Sequence, residues 1–223
     1  MNSRERVIAA IEHRIPDRIP FDLGSLGCTG IHVQTVIQLR KALGRAPTPP
    51  RITDCYGMMG EIAPDLADWF EVDTVGLLTR CGMFGFPNDD WKQWCMPGGH
   101  TISVPGMFNT KIEKDGSVFQ YPQGDVTCSP CARMPANGLY FDHIDRQMPI
   151  DDSKLDPHDN GNDFAILKDE DLSHMQRSAE YQFNNTDKAI IPLYQGLFLV
   201  MLLLCLHPGS KIHEAFGIWK SGI

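Results

Sequence analysis

Apolar positions recur at helical spacing at the start of the chain, then in short runs, and later in strict alternation. Asn2 can cap a first helix, with Glu5 three residues on in a capping-box arrangement. Val7, Ile8 and Ile11 form its apolar stripe, and Pro16 ends it. Residues 18–23 read as a short strand with its prolines near the start, followed by a glycine-rich turn over 24–30. A second helix is predicted over about residues 32–43, with Val33, Val36, Leu39 and Leu43 on one side and Gly44 closing it. Pro47, Pro49 and Pro50 form a connector. A third helical region is predicted over roughly residues 54–70, broken at Pro64. Residues 72–78 read as a buried strand of parallel type. The alternation helix, strand, helix, helix, strand argues an α/β architecture.

The pattern changes between residues 88 and 150. Residues 101–104 alternate with period two, and residues 111–114 and 117–121 flank Asp115-Gly116, a hairpin signal. Trp91, Trp94, Phe108, Tyr140 and Phe141 supply aromatic bulk. This stretch reads as a small antiparallel β insertion packed on the α/β body. A polar loop over 151–161, a helix over 169–184 and a third strand at Ala189-Ile190-Ile191 follow. The chain thus divides into 1–87, 88–150, 151–206 and a tail, 207–223, of different character. The run 197–206 is uninterrupted apolar sequence, yet a membrane span needs about 20 residues. Pro192 and Gln195 precede it and His207-Pro208 follows. A core strand or buried helix is the expectation, with no membrane partner.

Charge and cysteine content narrow the classes. With 28 acidic and 20 basic residues the formal net charge is −8, and no basic cluster breaks it, which argues against nucleic acid as a partner. The charged start, Met1 to Arg6, lacks an apolar core and is not a secretory signal. Seven scattered cysteines, an odd number, fit reduced thiols and a cytoplasmic location better than a disulfide framework.

The opening Arg4-Glu5-Arg6-Val7-Ile8-Ala9-Ala10-Ile11, followed by Pro16-Asp17-Arg18-Ile19-Pro20-Phe21-Asp22, resembles the start of uroporphyrinogen decarboxylase family proteins. Asp22-Leu23-Gly24 leading to Thr29-Gly30-Ile31-His32 is similar to them as well. Arg133-Met134-Pro135 with Gly138-Leu139-Tyr140-Phe141-Asp142 resembles a branch grouped with corrinoid-dependent methyltransferases. The resemblance covers roughly residues 3 to 200. It implies a (β/α)8 TIM barrel, of which this chain holds about the first three β/α units plus the antiparallel insertion, and so an incomplete barrel and a chain that is not a competent enzyme by itself.

The resemblance also carries expectations of function. True uroporphyrinogen decarboxylases place an arginine-rich motif after the first strand, whose planar guanidiniums pair with substrate carboxylates. Here that stretch is Gly24-Ser25-Leu26-Gly27-Cys28-Thr29-Gly30, without arginine. They also place an aspartate after the second strand, where this chain reads Thr79-Arg80-Cys81-Gly82. The leading expectation is therefore methyl transfer linked to corrinoid (cobalamin), acting on a small-molecule substrate or a corrinoid protein. The alternatives are uroporphyrinogen decarboxylase itself, a lyase of porphyrin and haem biosynthesis, and an inactive fragment. Zinc and a corrinoid partner are expected only of a full-length methyltransferase relative, and no metal ligand is assigned within this chain.

Barrel enzymes carry their chemistry at the C-terminal ends of strands, which singles out Asp22, Thr29, His32, Arg80 and Gln195 as substrate-binding candidates. Asp22 suits a general base or a ligand-orienting group, and equally a cap for the following turn. His32 suits a proton carrier, and equally a local bond at a helix start. Arg80 suits an anionic group, and equally a salt bridge. Arg133, Tyr140 and Asp142 read either as part of a lid or as residues that hold the insertion together. Cys128-Ser129-Pro130-Cys131 is a CxxC pair without a second pair at zinc spacing.

Overall fold

The computed structural model describes residues 1–145, 149, 151–154, 156 and 168–192. Helix α1 (Ser3–Ile11) starts at the predicted capping box: the Asn2 side chain accepts from Glu5 N–H, and the Glu5 carboxylate accepts from Asn2 N–H. Strand β1 (Ile31–His32) leads directly into α2 (Val33–Ala42), which Gly44 closes at φ 64°. β2 (Ile52–Asp54) and β3 (Met59–Gly60) complete a small antiparallel sheet in the order β1-β3-β2. α2 lies tightly on that sheet: a Cβ on Gly60 would come within 2.7 Å of Val36 Cγ2. After α3 (Pro64–Trp69) comes β4 (Thr74–Leu77).

Then follow β5 (Lys92–Cys95) and β6 (Thr101–Val104), an antiparallel pair. β7 (Thr110–Ile112), β8 (Val118–Gln120), β9 (Ala132–Met134) and β10 (Asp142–His143) form a meander in sequence order. The predicted hairpin turns at Asp115-Gly116, with Glu113 N–H on Ser117 O and Gly116 at φ 83°. α4 (Asp169–Asn185) carries Asp169, Glu170 and Asp171 in its first turn, where carboxylates complement the helix dipole. It leads to β11 (Ala189–Pro192), which pairs in parallel with β4, from Ala189↔Thr74 to Pro192↔Leu77.

The barrel expectation is corrected. Among the described residues β4–β11 is the one parallel pair; the remaining sheets are small and antiparallel, and no (β/α)8 pattern is present. Residues 19–23 form no ladder strand. Pro20 has no N–H to donate, so the contact to β4 is reduced to Asp73 N–H on Phe21 O at 2.8 Å, with Phe21 N–H turned to the Asp73 carboxylate. The helix expected over 54–70 is confined to α3. Asp54 accepts from Tyr56 and Gly57 N–H, an Asx turn, and Met58 sits at φ 52°, a conformation no helix accommodates. The apolar run 197–206, the candidate Gln195, much of the 151–161 loop and the tail 207–223 lie outside the described residues.

The main core lies between α2, the β1–β3 sheet and the antiparallel strands. Phe84, Phe86, Phe108 and Phe141 are buried there. They pack edge to face, with centroids 5.9 Å apart for Phe84–Phe141 and 6.4 Å for Phe86–Phe108. A smaller cluster of Leu77, Ala179 and Ile190 joins β4, α4 and β11. Among the described residues no helix is long and apolar enough to cross a membrane.

Candidate functional site

The turn after Asp22 brings three of the sequence candidates onto one loop. Gly24, at φ 81°, donates to Thr29 O at 3.0 Å, closing the turn. The Thr29 hydroxyl both accepts from Leu26 N–H and donates to Leu26 O, each at 3.3 Å. Asp22 Oδ1 accepts the Thr74 hydroxyl at 2.6 Å and Ser25 N–H at 3.3 Å, which fastens the loop to the start of β4. Further along β4 the approach is closer still: a Cβ on Gly76 would lie 1.8 Å from Ser25 O, so only glycine fits. Asp22 Oδ2 has no hydrogen-bond partner among the described residues.

His32 is committed at both ring nitrogens. Nδ1 accepts from Gln34 N–H at 3.2 Å, capping α2, and Nε2 lies 2.7 Å from Leu139 O. A carbonyl can only accept, so Nε2 carries the proton and the ring is the neutral Nε2–H tautomer. In this arrangement the histidine joins the loop and α2 to the segment before β10, and neither nitrogen is left for a proton relay.

Arg80 is likewise committed. Its Nε donates to Asp171 Oδ1 at 2.7 Å, and Nη2 lies 3.5 Å from Glu170 Oε2, both on the first turn of α4. Asp171 above all, with charge from Cys81, Asp171 and Glu170 outweighing a small burial cost, raises its pKa further. Arg80 therefore belongs to the crossover between β4 and α4 and is not part of the Asp22 loop. Arg133 reaches Asp115 at 3.0 Å and lies 5.9 Å above the Phe119 ring, tying β9 to the hairpin. In the CxxC pair Cys128 is exposed and donates to Asp125 Oδ2 at 3.2 Å, while Cys131 is buried with its N–H on Gln120 O. Among the described residues no three His, Cys, Asp or Glu side chains come together in a way that would hold a metal ion.

The strongest polar constellation escaped the sequence reading. Asp73, fully buried, accepts from Arg6 Nη1 at 2.6 Å, Arg18 Nη1 at 2.7 Å and Nη2 at 3.0 Å, and Phe21 N–H at 2.8 Å. Arg6 also holds Asp17 through Nε at 2.6 Å and Nη2 at 2.9 Å. The Arg6 hydrogen bond, more than any other influence, keeps the Asp17 carboxyl far below the usual carboxylate range. Burial works against ionising Asp73, but the Phe21 N–H, Arg18, Ser3 and Arg6 outweigh it and lower its pKa. The signal lay in the sequence: a carboxylate inside an apolar strand run must find partners if it is buried. No family model matches the chain, and no curated protein or solved structure is detectably similar to it.

Proposed function

We propose that the chain takes part in methyl transfer linked to a corrinoid, with the Asp22–His32 loop receiving a small methylated compound. The reading does not depend on a barrel, and the expectation that the chain is not a competent enzyme, which rested on an incomplete barrel, is set aside with it. The observation that carries it is the state of Asp22: one carboxylate oxygen is fixed by Thr74 and Ser25, and the other has no partner among the described residues. A carboxylate anchored on one side and uncommitted on the other suits the orientation of a polar or cationic substrate group. The resemblance of residues 4–11, 16–24 and 29–32 to the start of uroporphyrinogen decarboxylase family proteins points to the same reading, and the arginine-free loop favours methyl transfer over porphyrinogen decarboxylation. The described residues do not fit a zinc site.

The test is to incubate the protein with free reduced cobalamin and a panel of methylated thiols, amines and ethers, following loss of the methyl compound. Uroporphyrinogen decarboxylation is assayed in parallel by CO2 release. Transfer from one compound class is expected, slowed roughly 10- to 100-fold in Asp22→Asn, the scale of one hydrogen bond to a charged group. Release of CO2 from uroporphyrinogen, or transfer indifferent to Asp22→Asn, overturns the reading.

A further inference from the structure

Away from the Asp22 loop, α2, the proline connector and the residues after β3 border a partly open cavity of about 160 Å³. Its lining includes three charged residues, Arg40, Arg51 and Glu61, beside Val36, Thr48 and Ala63. Arg40 is almost buried. Its Nε donates to Ala46 O at 3.1 Å and Nη1 to Asp65 Oδ1 at 2.9 Å, so the guanidinium is held rigidly. Its Nη2 has no hydrogen-bond partner among the described residues.

Arg51 and Glu61 are neighbours across the strand pair, with Glu61 N–H on Arg51 O at 2.8 Å. Their charged ends nevertheless form no ion pair with each other or with any other described residue. The Arg51 guanidinium instead lies 5.0 Å over the Trp91 ring. Two arginines and one glutamate thus line the cavity: Arg40 is paired with Asp65, whereas the Arg51 and Glu61 charges are in no ion pair among the described residues.

We propose that this cavity binds a small zwitterion of the α-amino acid type, its carboxylate on Arg40 and Arg51 and its ammonium on Glu61. A simple anion satisfies the arginines but meets the Glu61 charge; a simple amine does the reverse. A ligand carrying both charges on adjacent carbons complements all three. Guanidinium donors suit a carboxylate through their planar fork, and the volume limits the ligand to a few heavy atoms, well below the ~300 Å³ of a drug-sized pocket.

Calorimetric titration with glycine, acetate and methylammonium tests the assignment, with Trp fluorescence as a second readout because Arg51 covers Trp91. Glycine is expected to bind about tenfold or more tightly than either single-charge probe. Glu61→Gln should weaken glycine about tenfold while leaving acetate unweakened, and Arg51→Gln should weaken glycine and acetate together. Neither side chain is in an ion pair among the described residues, and unchanged melting of both variants verifies their folding. No glycine binding at tens of millimolar, acetate binding as tightly as glycine, or glycine binding unaffected by both substitutions overturns the proposal.

Discussion

Replacing Asp73 by Asn probes the buried ion cluster with almost no change in volume. In the native protein Oδ1 accepts from Arg6 Nη1 and Arg18 Nη2, and Oδ2 accepts from Arg18 Nη1 and Phe21 N–H. An amide keeps one acceptor and turns an NH2 group towards the other two donors. Two hydrogen bonds are lost, and Arg6, itself buried, faces no full charge at Asp73. At about 1.5–3 kcal/mol for each hydrogen bond to a charged group, the expected loss is about 3–6 kcal/mol, close to the ~3–5 kcal/mol usual for breaking a buried pair from one side. That is a large part of the ~5–15 kcal/mol that holds a typical domain together.

The same cluster fixes a pH dependence. Asp73 and Asp17 both have folded pKa values below the unfolded value of about 3.9. Such groups stabilise the fold above the unfolded pKa, and their contribution is lost as pH falls through the folded value. Wild-type stability should therefore fall below about pH 4, and Asp73→Asn should show a shallower acid limb because one of the two groups is gone. Urea unfolding across pH 3 to 7 measures both effects. A variant within about 1 kcal/mol of wild type at pH 7, with an identical acid limb, refutes the argument that Asp73 organises this cluster.

Other expectations follow from single contacts. Gly76→Ala drives a methyl group into Ser25 O and should cost about 1–3 kcal/mol, with amide exchange accelerated over residues 22–30. His32→Ala removes the cap of α2 and should cost about 1 kcal/mol by thermal melting, whereas His32→Asn, itself a good cap, should recover most of it. Arg80→Ala breaks a partly exposed ion pair and should cost under about 1 kcal/mol. Burial above all, helped by the Asp54 charge, pushes the Cys55 thiol pKa well up. A thiol reagent should therefore modify exposed Cys28 and Cys95 in the native protein and reach Cys55 only on unfolding.

Local signals in the sequence were legible, and long-range ones were not. The α1 capping box, the Gly44 stop, the Asp115-Gly116 hairpin and the extent of α4 each depend on residues a few positions apart, and each is found where the pattern puts it. The strands at residues 72–78 and 189–191 do lie side by side in parallel. Residues 19–23 failed as a strand because proline removes a donor and Asp73 captures the next N–H, a competition invisible without knowing that the two segments meet. Residues 54–58 look helical in apolar spacing, yet Asp54 offers the backbone an alternative closed by side-chain bonds. For the site, the pattern brought Asp22, Thr29 and His32 to one loop but not Arg80, whose hydrogen-bond partner Asp171 lies 91 residues away. The cavity charges Arg40, Arg51 and Glu61 show no motif spacing and come together only through the fold.

The ties between α1 and the segment from the end of α4 to the start of β11 have a consequence for synthesis on the ribosome. Arg4 N–H binds Asp187 O at 2.7 Å, and the Arg4 side chain reaches Phe183 O, Thr186 O and Lys188 O. At about 5–20 residues per second, the partners of Arg4 emerge roughly 10–40 s after Arg4 itself. Throughout that interval Arg4 lacks these partners, while the antiparallel strands between residues 92 and 143 find their strand partners within their own stretch. The middle of the chain can therefore fold before Arg4 of α1 meets these late partners.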